Sequence, residues 1–169
     1  MTGLMIAWVL AQATTSPHVC EPRAVVQADR ARVCVDLGHG RAAAAVLAVG
    51  ELPADYPYRD ALSWGWDAET AAPKTPVRII RSLHLTAAEK EIPVPLSAYS
   101  DLCNPREISV ERLSPTSLRV SIVGGDAGAA YRAVLDFRSG EIVKRRLIDL
   151  EFSDSSWEET TYSFFRGEN

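Results

Sequence analysis

The chain has 169 residues, 47% of them hydrophobic, which suits one domain with a hydrophobic core and is too short for two domains of ordinary size. A formal net charge of −4 gives no reason to expect a nucleic-acid partner, because such binding depends mostly on clustered Lys and Arg. The densest basic run, Lys144-Arg145-Arg146, alternates across a predicted strand and indicates a solvated strand face.

The amino-terminal segment has the pattern of an export signal. An apolar block from Leu4 to Leu10 is followed by Ala11-Gln12-Ala13, an A-x-A sequence that a signal peptidase could cut. We expect residues 1–13 to be a signal peptide and residues 14–169 to form a single β-rich domain, periplasmic or secreted. The block is shorter than the roughly 20 residues that span a bilayer, and no later segment reaches that length, so we expect no membrane span.

Three cysteines fit an exported protein with one disulfide and one remaining thiol. Pairing Cys20 with Cys34 would tie the segment after the signal to the first strong strand and leave Cys103 buried. A zinc site made of His18, Cys20, Cys34 and His39 is the alternative, although the chain lacks the C-x2–4-C knuckle common in structural zinc sites. We predict the disulfide, no metal and no cofactor.

The first half predicts short strands and one long connection. Residues 42–49 contain four consecutive alanines, which favour a helix, but the run is short and follows a glycine turn, so we predict a return strand. Residues 51–76 carry four prolines and two tryptophans, a composition typical of a long connection. The strands predicted here are residues 32–37, 42–49, 77–85 and 92–96, and one helical turn is predicted at 97–102.

The second half predicts an antiparallel meander. Apolar residues alternate along each segment, and short turns of Ser, Pro or Gly separate the segments. The predicted strands are residues 108–113, 118–123, 131–138 and 142–148. The fold class we expect is mainly β: an antiparallel β-sandwich or barrel-like meander with one short helical turn.

A glycine-rich loop joins two of these strands. Residues 124–131 contain three glycines and end in Tyr131. A hairpin tip normally needs only one or two glycines, so the excess suggests a wide, flexible loop or a backbone that approaches a partner closely. A roomy turn is the plain alternative. Tyr131 could present its ring to a partner, or it could begin the apolar face that continues through Ala133 and Leu135.

Motifs for catalysis are weak. No G-x-S-x-G sequence is present, so a Ser-His-Asp hydrolase is not expected, and we assign no catalytic residue. Asp67 and Glu69 could share a face beside Trp64 and Trp66, which would suit glycan hydrolysis. The simpler interpretation is that both tryptophans are core or rim residues.

The five residues Ala127-Gly128-Ala129-Ala130-Tyr131 match by spacing a Ser-Gly-x-x-Tyr motif, and in this respect the chain resembles periplasmic lysozyme inhibitors and related bacterial immunity proteins. The resemblance implies a β scaffold whose loop enters the cleft of a peptidoglycan-cleaving enzyme. Ala127 stands where the family has serine, so the hydroxyl contact to the catalytic acid would be lost. Residues 92–104 and the C-terminal half also resemble small exported proteins of proteobacteria, which implies no function.

These observations predict an exported, non-enzymatic binding protein that inhibits, or gives immunity against, a peptidoglycan hydrolase by occluding its cleft. The partner would be a protein and not a nucleic acid. The predicted contact residues are Gly125, Asp126, Gly128, Tyr131 and Arg132. Two alternatives remain open: a small periplasmic glycan hydrolase, and a small-ligand carrier with an internal β-barrel cavity.

Overall fold

The structure is a computed structural model that describes residues 20–53, 64–65, 77–125, 127–152 and 156–164. Ten strands and two short 3-10 helices lie in this part of the chain. The strands are β1 (Arg23–Val25), β2 (Arg30–Gly38), β3 (Arg41–Glu51), β4 (Arg78–Ala87), β5 (Lys90–Ile92), β6 (Pro105–Ser114), β7 (Ser117–Gly124), β8 (Tyr131–Arg138), β9 (Glu141–Asp149) and β10 (Ser156–Thr161). The helices are Leu96–Ala98 and Ala127–Ala129.

The strands form two antiparallel sheets. The large sheet has the order β1-β6-β7-β8-β9-β10, and the small sheet has the order β2-β3-β4-β5. The segment around β1 bonds to both sheets: Val110 N donates to Pro22 O at 2.8 Å, and Cys34 N donates to Glu21 O at 2.8 Å. The described chain is therefore a β-sandwich whose sheets are linked at one side, without closing into a barrel.

The predicted fold class is confirmed, and the alternating apolar residues of β7 and β8 face the interior as predicted. Leu118 lies opposite Phe137 and Val120 opposite Leu135, and all four side chains are buried. The alanine run lies in β3 and not in a helix. It adopts a strand because its alternate side chains fill the interior of the sandwich, and this tertiary packing outweighs the helix propensity of alanine.

The main core is a cluster of buried side chains contributed by both sheets, and Val77, Ile79 and Cys103 form a second, smaller cluster. The largest fully buried members of the main core are Tyr131, Phe137, Leu47, Leu85, Leu102, Ile108, Ile122, Leu135, Ile142 and Leu147. Aromatic and branched aliphatic side chains of this size supply most of the apolar area removed from water, the dominant favourable contribution to folding.

The predicted disulfide joins Cys20 and Cys34, with Cα atoms 5.2 Å apart, and Cys103 is a buried free cysteine. Both predictions are confirmed. Because a disulfide leaves no thiolate to bind a metal, the alternative zinc site loses two of its four ligands. Elsewhere in the described residues, no group of three or more His, Cys, Asp or Glu side chains is placed to hold a metal ion.

The strand directions define two ends of the molecule. The loop end carries the β7–β8 connection (125–130) and the turn after β9 (150–152); the turn end carries the hairpin turns at 39–40, 88–89, 115–116 and 139–140. The predicted signal peptide and residue His18 lie outside the described residues. No helix among the residues that the structure describes is long and apolar enough to cross a membrane.

Candidate functional site

Tyr131 is a core residue of the loop end. Its side chain is 0% exposed, and its hydroxyl donates a hydrogen bond to the Cys103 carbonyl oxygen at 3.0 Å. Of the two roles that the sequence left open for Tyr131, the structure has the core position, because the ring belongs to the apolar face that β8 turns toward the interior. Its hydrogen bond satisfies the one polar group that it carries into the core.

The glycines of the loop make room for this ring. A Cβ on Gly124 would lie 2.6 Å from Cζ of Tyr131, and one on Gly65 would lie 2.5 Å from Cε1. Gly125 has a positive φ of 72°, and a Cβ there would lie 2.8 Å from Cα of Gly65. Real Cβ atoms do not approach neighbours this closely, so Gly124 and Gly125 are required by packing, whereas a Cβ on Gly128 would lie no closer than 3.7 Å to another residue. Gly125 is buried and offers no contact surface.

Asn104 holds the loop end together from the opposite side. Its amide Nδ2 donates to Gly65 O at 2.9 Å, its Oδ1 accepts from Arg78 N at 2.9 Å, and its carbonyl accepts from Gly125 N at 3.1 Å. Asn104 adopts a positive φ of 48°, which asparagine tolerates better than most residues. The side chain of Asn104 thus joins β4 to Gly65, and its backbone carbonyl binds the glycine loop.

The remaining predicted contact residues have different positions. Gly128 lies in the 3-10 helix at the tip of the loop and is exposed. Arg132 is exposed on the outer face of β8, where it pairs with Val123 and Ile148. Asp126 lies outside the described residues. Of the five predicted contacts, Gly128 and Arg132 are the two that the structure places at the surface.

The turn after β9 lies against the glycine loop and carries an exposed aromatic side chain that was not predicted from the sequence. Phe152 is 64% exposed in the turn that follows β9. The carboxylate of Asp149, 6% exposed, accepts hydrogen bonds from the backbone N–H groups of Glu151 at 2.7 Å and Phe152 at 3.2 Å. Leu150 N also donates to Ala130 O at 3.1 Å. These bonds fix the turn against the glycine loop and present Phe152 on a supported backbone.

The buried groups of the loop end are not activated as nucleophiles. Burial, with a smaller contribution from Asp101, raises the pKa of the Cys103 thiol to about 12. Burial also raises the pKa of Tyr131 well above its ordinary value, with further contributions from Cys103 and Asp101. Both groups stay protonated at neutral pH, whereas a nucleophilic cysteine needs a lowered pKa.

Arg145 corrects the prediction that Lys144-Arg145-Arg146 forms a solvated strand face. Arg145 lies opposite Leu135 of β8, on the same inner face of β9 as Leu147 opposite Ala133, and it is 4% exposed. Its guanidinium binds Asp101 at 2.7 Å and Glu158 at 2.9 Å. Both acids serve as acceptors for one cation.

Trp64 contributes to packing. Its ring stacks on Trp157, with centroids 5.0 Å apart and planes 20° apart, and both rings pack against the core cluster. This agrees with a core or rim role for Trp64. The other members of the predicted glycan site, Trp66, Asp67 and Glu69, lie outside the described residues.

Comparison with known proteins gives no match to a family model, to a curated protein or to a solved structure.

Proposed function

We propose that this chain is an exported, non-enzymatic binding protein that recognises a protein partner through its loop end. The contact surface consists of Gly128, Arg132 and Phe152. The observation that carries the proposal is an aromatic side chain, 64% exposed, on a turn whose backbone is held by the buried carboxylate of Asp149.

Physical reasons favour this surface as a binding site. Large exposed aromatic side chains are enriched among the few residues that dominate binding energy at protein interfaces. A surface that is ordered before binding loses less conformational entropy when the partner arrives. The hydrogen bonds from Asp149 and the bond between Leu150 and Ala130 provide that order.

Two further features of the structure support the proposal that the protein is exported and non-enzymatic. The Cys20–Cys34 disulfide is typical of proteins that fold in an oxidising compartment such as the periplasm. Among the described acids, Asp101 and Glu158 are both bound by Arg145. This arrangement gives Asp101 and Glu158 a structural role, and we assign no catalytic residue.

The partner class we propose is a cell-wall hydrolase, inhibited by occlusion of its cleft. Phe152, in place of Tyr131, is the aromatic residue that enters the cleft, because an aromatic side chain beside a glycine loop can fill a saccharide-binding cleft. Arg132 would face acidic groups at the rim of that cleft, and such a rim charge acts mainly on the association rate.

The test is inhibition of peptidoglycan hydrolysis, measured with hydrolases that include several lysozyme types. We expect the parent protein to inhibit at least one of them stoichiometrically and Phe152→Ala to weaken that inhibition at least tenfold, about 1.4 kcal/mol. Phe164→Ala is the matched control, because Phe164 is also exposed, at 49%, and should retain full inhibition.

Two results would overturn the proposal. A parent protein that inhibits none of the hydrolases contradicts the partner class. Inhibition that Phe152→Ala leaves intact contradicts the contact surface. Circular dichroism of each variant confirms the fold, and replacing a largely exposed phenylalanine should leave stability nearly unchanged.

A further inference from the structure

A cleft of about 410 Å³ opens at the turn end, between the two sheets. Its floor is formed by Ile92, Leu118 and Phe137, which are buried, and its walls by the half-buried Leu37 and Ala87. The volume lies within the range of about 300–1,000 Å³ that is usual for small-molecule sites. The cleft lies at the end of the molecule away from the proposed partner surface, so an inference about it goes beyond that function.

The rim of the cleft is polar. Hydroxyl groups come from the β6–β7 and β8–β9 turns, and charged groups come from the short strand β5. The hydroxyl residues are Ser114, Thr116, Ser117 and Ser139. An apolar floor beneath a few polar rim groups is the usual composition of a site for a small amphiphile, whose apolar body is buried and whose head remains at the mouth.

One wall of the cleft is held in place by an arginine that bridges the sheets. The Nη1 atom of Arg112 on β6 donates to Leu37 O at the end of β2, at 2.8 Å. Its Nε donates to Ser114 O at 3.4 Å. The bond from Arg112 therefore fixes the position of Leu37 at the mouth of the cleft without requiring Leu37 to pack on the apolar floor.

The charged residues at the rim indicate which ligand head group the cleft would bind. Two charged residues line the mouth, Lys90 and Glu91, and both are exposed. Glu91 lies 3.5 Å from Nδ1 of His84, whereas Lys90 forms no ion pair with another described residue. Lys90 is therefore the cation at the mouth that remains available to a ligand carboxylate.

We propose that this cleft binds a medium-chain fatty acid, with the alkyl chain on Ile92, Leu118 and Phe137 and the carboxylate at Lys90. A dry cavity of about 150 Å³ holds benzene, so this volume suits a ligand on the order of fifteen non-hydrogen atoms. The occupant is thus a small carboxylate with a single alkyl chain.

The experiment is a calorimetric titration of the protein with decanoate and, separately, with decanol, which has the same chain length and no charge. We expect saturable one-to-one binding of decanoate. Lys90→Gln should weaken decanoate binding about threefold, because an exposed ion pair contributes at most about 1 kcal/mol, and should leave decanol binding unchanged. Lys144→Gln is the matched control, since Lys144 binds Glu159 and does not line the cleft.

A second pair of variants tests the location. Ala87→Phe places a ring in the cleft and should weaken binding of both ligands at least tenfold. Ala48→Phe makes the same change at a half-buried position of the small sheet away from the cleft and should leave binding unchanged. Thermal unfolding of both variants establishes that they are folded.

Three results would overturn the inference. The first is the absence of saturable decanoate binding by the parent protein. The second is undiminished binding by a folded Ala87→Phe variant. The third is a Lys90→Gln variant that binds decanoate as well as the parent does, which would contradict the carboxylate assignment even if Ala87→Phe fails to fold.

Discussion

Glycine has opposite roles at the two ends of this molecule. At the loop end, a methyl group added to any of three glycines would lie less than 3.0 Å from a neighbouring atom: Gly65, Gly124 and Gly125. At the turn end, a methyl group added to any of three others would meet no atom within 4 Å: Gly38, Gly40 and Gly140. A glycine-rich stretch of sequence therefore does not by itself locate an exposed, adaptable surface.

The same contrast applies to the whole of each end. The loop end is closely packed around a buried tyrosine, so any contact surface there consists of side chains that project beyond the packed base, such as Phe152. The turn end leaves space between the sheets, so any binding there takes place within the fold. Substitutions at the two ends should accordingly differ in their effect on stability.

The largest expected effect is at Tyr131. Tyr131→Ala should lower the free energy of unfolding by about 4 kcal/mol, because it removes a fully buried ring and leaves a cavity. Tyr131→Phe should cost about 1 kcal/mol through loss of the hydrogen bond to Cys103. Urea denaturation measures both.

The control for this prediction is the turn end. Ala87→Phe should change the free energy of unfolding by less than about 1 kcal/mol, since the added ring enters existing space. If Tyr131→Ala lowered the free energy of unfolding by no more than Ala87→Phe does, the two ends would not differ in packing. Loss of inhibition by Tyr131→Ala would report unfolding and not loss of a contact.

An intermediate effect is expected within the glycine loop. Gly124→Ala should lower the free energy of unfolding by about 2 kcal/mol, because its Cβ would overlap the Tyr131 ring. Gly128→Ala should cost less than about 0.5 kcal/mol, since the nearest atom to its Cβ would be Glu151 Oε2 at 3.7 Å. Equal stability of the two variants in urea would contradict the packing role of the loop glycines.

The remaining prediction concerns alkaline pH, since at neutral pH Cys103 contributes no pH dependence of stability. The pKa of Cys103 is raised to about 12 in the folded protein, whereas an unfolded cysteine titrates near about 8.5. Between these values the unfolded chain loses a proton that the folded chain keeps, so stability contributed by this group is present below about pH 8.5 and is lost as the pH rises toward 12.

Cys103→Ala tests this dependence. The variant should show a shallower loss of stability between pH 9 and 11, by at most about 1.4 kcal/mol per pH unit for one proton. Guanidinium denaturation at several pH values gives the slope for the parent and the variant. Identical slopes would contradict the assignment of the dependence to Cys103, and Tyr131 would then be the group to examine.

The mainly β fold could be predicted from the local alternation of apolar and polar residues. Alternating apolar residues predicted β7, β8 and β9, and the turn before residue 42 correctly favoured a strand for the alanine run. Arg145 was missed because a run of three consecutive basic residues favours a solvent-exposed face, although period-2 alternation places Arg145 on the same inner face as Leu147.

The candidate surface was predicted only in part. Gly128 and Arg132 are exposed. The sequence could not decide between a partner contact and a core position for Tyr131, because an aromatic residue at the start of a strand is compatible with either role. Phe152 was overlooked, although an aspartate at the end of a strand three residues before an aromatic is compatible with a turn that Asp149 closes. The cleft depends on how far the sheets separate, which is a property of the assembled sandwich.

The position of β1 has a consequence for the order of folding. Arg23 pairs with Ser109 of β6, so β1, the first strand among the described residues, cannot complete its pairing until the middle of the sequence is available. The Cys20–Cys34 crosslink joins residues only 14 apart and can form before that. As a nascent chain emerges amino-terminus first, the crosslinked segment would hold β1 beside β2, ready for β6, and so shorten the search for this long-range contact.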